Sequence, residues 1–159
     1  MAAVIEVVPI GAFSMTYDLL AAGTPSGRIE HRMLSPRDEA SISTPGGTFT
    51  ARREKVFSAR AMLASAAGDE RATADRESLW RESYRVAFGD RVLYLRRKPF
   101  SFGGMFLISN GSLDVGSIRL QRPFSRRLAV EFAAAAPPME IVAFLAWIVL
   151  MLHRHQASD

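Results

Sequence analysis

The sequence predicts a mainly β fold, a closed antiparallel barrel of about 10–12 strands built from hairpin repeats with one hydrophobic C-terminal helix through its lumen. Three observations carry that expectation. Short runs with alternating apolar positions, separated by turn signals, occupy the chain from about residue 13 to 132. An aromatic corner recurs along those runs. A greasy segment, MEIVAFLAWIVLMLHRH, follows them at Met139 to His155.

The turns come first because they divide the chain. Asn110-Gly111 between FLIS and SLDVGSI reads as a type I′ hairpin dipeptide. Gly89-Asp90, Gly68-Asp69, Pro45-Gly46-Gly47 and the stretch from Gly23 to Gly27 repeat the pattern. Nothing before Pro137 shows a capped 3.6-residue period, so the segments between turns are strands.

The repeat sets their faces. Phe57, Trp80, Phe100 and Phe124 stand at intervals of 23, 20 and 24 residues, and Phe13 obeys the same rule further upstream. Offsets of four, six and eight from each corner give Tyr84/Val86/Phe88, Gly104/Phe106/Ile108 and Leu128/Val130/Phe132, among others. Period-two apolar positions mark one strand face, so these residues should point inward while Arg85, Ala87, Leu107 and Glu131 point out. Strands with one apolar face must hide it and dispose of their edges, and closure does both. About eight strands is the size that side chains alone can fill, so a wider barrel needs an occupant.

The final segment supplies one. Its uninterrupted apolar run, Ile141 to Leu152, would span roughly 18 Å as a helix, against about 30 Å of bilayer hydrocarbon. Pro137, Pro138 and Glu140 suit a helix start, and His153, Arg154 and His155 suit its negative end. Ile141, Phe144, Leu145, Trp147, Ile148, Val149 and Leu152 leave no polar stripe, so the helix is predicted over about 139–155 as a core element. A tail anchor and a buried partner interface are the alternatives. The whole chain, 1–159, then forms a single domain.

Composition bounds the chemistry. With no cysteine among the 159 residues, disulfides, thiolate nucleophiles and Cys-based zinc sites are excluded, which fits a reducing compartment; the expected location is cytoplasmic, with a peripheral place at the membrane left open. The N-terminal stretch carries Glu6 within its apolar run and lacks a basic n-region, so no signal peptide is expected. The three histidines, His31, His153 and His155, show no metal-ligand spacing, and no G-x-S-x-G elbow or phosphate-binding glycine loop occurs. No catalytic residue, cofactor or metal is expected, and the protein is read as a non-enzyme.

Charge is the one functional signal. Residues 1–50 carry a net −2, whereas residues 91–127 carry seven Arg and Lys98 against Asp114 alone. Within the basic stretch, LRRKPF and LQRPFSRRL set Arg96, Arg97, Lys98, Arg122, Arg126 and Arg127 beside two corner phenylalanines at equivalent points of the repeat. These six are the candidate anion- or lipid-binding residues, because Arg with an aromatic at one rim suits phosphate headgroups.

The segments GTFTARREKVFSARAML, LWRESYRVAFGDRVLYLRRKPFSFGGMFL, VGSIRLQRPFSRRLAVEF and MEIVAFLAWIVLMLHRH together resemble the tubby C-terminal superfamily. That superfamily includes the phospholipid scramblases and the LURP-one-related proteins, and the chain looks like a small bacterial-type member. The resemblance covers about Phe13 to His155 and is one of architecture. It implies lipid association. The chain departs from the scramblase pattern, having no cysteine cluster and no matching acidic calcium segment, so scrambling is not expected.

The expected function is therefore a peripheral binding module for anionic phospholipid headgroups or a phosphorylated ligand. The alternative is a protein-interaction or regulatory barrel without lipid activity, whose partner the sequence does not identify. Nucleic acid ranks below both, since no interleaved stacking platform is evident.

Overall fold

A computed structural model describes residues 3–11, 15–56, 59–77, 82–99, 104–121 and 126–157. Among them are twelve strands and one helix. The strands are β1 (Ala3–Pro9), β2 (Thr16–Ala21), β3 (Thr24–His31), β4 (Ala40–Thr44), β5 (Gly47–Arg53) and β6 (Arg60–Ser65). There follow β7 (Glu70–Arg76), β8 (Ser83–Phe88), β9 (Arg91–Arg97), β10 (Phe106–Ser109), β11 (Asp114–Leu120) and β12 (Leu128–Phe132), then α1 (Met139–Ala157). Each strand pairs antiparallel with its chain neighbours, and β1 pairs with β12 from Ala3↔Phe132 to Val7↔Leu128, which closes the barrel. β1 lies upstream of the strand region expected from the sequence.

The faces follow the period-two reading. Tyr84, Val86, Phe88, Phe106, Ile108, Leu128, Val130 and Phe132 are all buried, whereas Arg85 is exposed and Ala87, Leu107 and Glu131 are partly so. The register Tyr84↔Leu95, Val86↔Leu93 and Phe106↔Ile118 brings inward residues side by side. At Gly116 the small residue is required by close approach: a Cβ there would lie 2.4 Å from the Glu131 carbonyl oxygen.

The helix occupies the lumen. Every residue from Ile141 to Leu152 is buried, on all faces of the helix, and forms one core with the inward strand residues. Its partners come from around the wall: Arg71 on β7 binds Glu140, Asp38 before β4 binds Trp147, and Phe106 on β10 faces His153. Ile141, Phe144, Leu145, Trp147, Ile148 and Leu152 are thus core, as expected. No helix among the described residues is long and apolar enough to cross a membrane.

Two turns differ from expectation. Asn110-Gly111 does not form a two-residue type I′ turn. Instead the Asn110 side-chain oxygen accepts the amides of Ser112 and Leu113, and the Asn110 amide donates to the Leu113 carbonyl, giving a four-residue connection. The positive dihedral pair of a type I′ turn falls at Ala22-Gly23, with φ of 51° and 78° between the paired residues Ala21 and Thr24.

Candidate functional site: the exit mouth of the barrel

Strict up-and-down order sorts the connections onto two ends. The helix enters at one, just after β12, where 22–23, 45–46, 66–69, 89–90 and 110–113 form short turns. It exits at the other, where 10–15, 32–39, 54–59, 77–82, 98–105 and 121–127 join the strands. In the sequence the exit-end connections carry eight Lys and Arg against five acids, Asp38, Glu39, Glu54, Glu77 and Glu82; the entry-end ones carry no Lys or Arg and two acids, Asp69 and Asp90.

The corner aromatics Phe13, Phe57, Trp80, Phe100 and Phe124 lie outside the described residues, as does Arg122. The other five basic candidates all belong to the exit end, yet they diverge there. Arg96 and Arg97 follow strand alternation to opposite faces. Arg96 is exposed on the outer wall, beside Tyr94, Ser83 and Ser109 in an open groove of about 670 Å³. Arg97 turns inward: its Nη1 lies 2.9 Å from Glu82 Oε2, and its amide donates to the Glu82 carbonyl. Gly104, with φ of 73°, leaves room for this guanidinium and the His153 ring, since a Cβ there would stand 3.3 Å from each.

Lys98 and Arg127 are exposed. Arg126 is half-buried, with Nη2 donating to the Gly11 carbonyl at 3.2 Å and its guanidinium 5.9 Å from the Tyr17 ring centre. It therefore leans toward the β1–β2 connection and away from Lys98.

A second cluster at this mouth centres on Asp38, a residue the sequence did not single out. Its backbone takes a left-handed φ of 52°, and its carbonyl accepts the Trp147 indole N–H at 3.1 Å. Its carboxylate meets Arg53 Nε at 2.8 Å, His155 Nε2 at 3.1 Å and Arg154 Nη2 at 3.6 Å. One short loop thus ties the helix end to the wall. No sequence signal marks a link across 109 to 117 residues.

His31 lies near the same cluster. It is 7% exposed, packs edge-on against Tyr17, and neither ring nitrogen has a hydrogen-bond partner among the described residues. Burial pushes its pKa down to about 4; the Arg154 charge adds to that and Asp38 opposes it. Burial and then Arg97 likewise lower His153, against the pull of Glu82. The chemistry available at the exit mouth is thus a set of outward cations over a plug held by internal pairing, with His31 held neutral beneath.

No protein-family model, curated protein or solved structure matches the chain.

Proposed function

We propose that this protein is a non-catalytic peripheral binding module whose exit mouth recognises phosphate-bearing anions, either anionic phospholipid headgroups or a phosphorylated ligand. The observation that supports it is the charge difference between the two ends: in the sequence the exit-end connections carry eight Lys and Arg against Asp38, Glu39, Glu54, Glu77 and Glu82, a net of +3, whereas the entry-end ones carry only Asp69 and Asp90. A closed barrel around a hydrophobic helix is the architecture that the resemblance to the tubby-like superfamily implies, and lipid association is what that resemblance would bring.

Each Lys or Arg close to an anionic bilayer contributes on the order of 1 kcal/mol, so a few acting together give modest, reversible affinity. Screening acts over about 8 Å at physiological ionic strength, so binding should fall steeply with salt. The test is co-sedimentation with phosphatidylserine-containing and pure phosphatidylcholine vesicles at low salt, with free inositol phosphates as competitors to separate headgroup from soluble ligand. Lys98→Glu with Arg127→Glu should abolish binding, whereas Arg85→Glu with Arg91→Glu, an equal charge change elsewhere, should leave most of it. Arg97 is left out because its loss would break its ion pair with Glu82. Equal binding by both double variants and the parent would favour the protein-interaction barrel instead.

A further inference from the structure

We infer that the barrel docks end-on, exit mouth toward an anionic bilayer, with Met33 and Leu34 seated in the interfacial layer; this rests on the lipid arm of the function proposed above. The tip of the β3–β4 connection exposes 78% of Met33 and 98% of Leu34, and the backbone of Leu34 is left-handed, at φ of 60°. A branched apolar residue at positive φ is unfavourable, and full exposure brings no burial to offset it.

The loop nevertheless holds this tip firmly. The Arg32 amide donates to the Glu39 carbonyl, and the Asp38 amide donates to the Ser35 carbonyl. Arg37 reaches across to the carbonyls of Arg53 and Glu54 at 3.1 and 2.6 Å, and Arg53 returns a hydrogen bond to the Pro36 carbonyl. With Asp38 tied to the helix end, the loop is fixed on three sides. A rigid, strained, outward apolar tip is a device for contact.

Its surroundings decide which contact. Exposed Ile10 and Val56 stand on the neighbouring β1–β2 and β5–β6 connections at the same end, so three consecutive connections form an apolar arc. Arg32, exposed but paired with Glu39 at 3.0 Å, flanks the tip, Lys55 follows Glu54 beside Val56, and the net positive charge of the rim comes from its other half, where Lys98 and Arg127 are exposed. Apolar side chains that enter the headgroup boundary on one half of the rim, with an excess of Lys and Arg over acids on the other half, match a negatively charged bilayer in both polarity and charge. A greasy protein groove would not call for the cations.

The absence of cysteine makes the test direct. Leu34→Cys and Leu113→Cys place single thiols at exposed positions on opposite ends, since Leu113 is 69% exposed in the 110–113 turn. Each is labelled with an environment-sensitive dye and mixed with vesicles of phosphatidylserine and phosphatidylcholine. The label at 34 should brighten, shift to the blue and be quenched by shallow nitroxide lipids, while the label at 113 stays unchanged. Met33→Ser with Leu34→Ser should weaken partitioning by about tenfold, from the apolar area withheld from the interface, with the melting temperature retained. Should labelling at 34 harm the fold, Met33→Cys carries the same readout. If vesicles sediment the protein but the dye at 34 does not respond, or the dye at 113 responds equally, end-on docking is overturned and lipid binding stands. If nothing sediments, both readings fall together.

Discussion

The two ends of this barrel are built from the same strands and do opposite work. The entry end is closed by short turns, and the buried Glu140 there is met by Arg71 through Nε and Nη2 at 3.1 and 2.9 Å. The exit end has longer connections with a net positive charge, an apolar tip, and a helix terminus held by Asp38, with the Arg97–Glu82 pair close to His153. Turns economical in residues define register and little else, whereas longer connections have room to present side chains. The comparison therefore separates positions where a mutation should affect only folding from positions where it should also affect binding.

The largest effect should come from the shared core between the ends. Trp147 is fully buried, stacked on Phe144 with ring centres 5.7 Å apart, and hydrogen-bonded to the Asp38 carbonyl. Trp147→Ala should cost about 3–5 kcal/mol by denaturant unfolding. A loss below about 1 kcal/mol would mean that the helix is not the core.

Next comes an asymmetry in pH. Unfolded, His31 titrates near 6.5; folded, at about 4, so the unfolded chain binds more protons between those values. Stability from this group is fully present above pH 6.5, declines as pH falls through the window by up to about 3 kcal/mol, and levels off below 4. His153, lowered too, acts in the same direction. His31→Phe should flatten the slope between pH 6.5 and 5 and be neutral or stabilising at pH 7, because it removes two unpartnered buried nitrogens. An unchanged slope in urea melts across that range would refute the assignment.

At the entry end, Arg71→Ala should cost about 2 kcal/mol by leaving the Glu140 carboxylate, 11% exposed, without its partner. It should not change vesicle binding. The smallest effects compare like with like. Ala22→Gly at the entry end and Leu34→Gly at the exit end each relieve a positive φ and should gain roughly 0.5–1 kcal/mol in stability. Only Leu34→Gly should also weaken vesicle partitioning, and a matching loss from Ala22→Gly would erase the distinction between the ends.

Much of the architecture was legible because it rests on periodicity. Alternation placed Val86, Phe106 and Val130 inside, and the twelve-residue run identified the helix and its length. β1 was harder to see, since Val4 and Val8 face outward beside inward Ile5 and Val7 and blur the alternation. The Asn110 turn was misread because the sequence names a dipeptide, not the side-chain hydrogen bonds that select a longer loop. The candidate site was legible as a charge excess but not as geometry. Alternation splits Arg96 from Arg97, and only the closed fold shows that Arg97 pairs with Glu82. Asp38 was invisible for a simpler reason: its partners are remote in sequence and ordinary in type.

The order of elements along the chain has a kinetic consequence. All twelve strands precede the segment that fills them, and the closing β1–β12 ladder joins residues 3–7 to residues 128–132. A ribosome would therefore release every wall before the core, leaving inward Leu, Ile and Phe without cover until residues 139–152 emerge. Contacts so distant in sequence fold slowly. Sealing around the helix must therefore wait for residues 139–152, and until then the nascent walls depend on whatever else in the cell shields an open sheet.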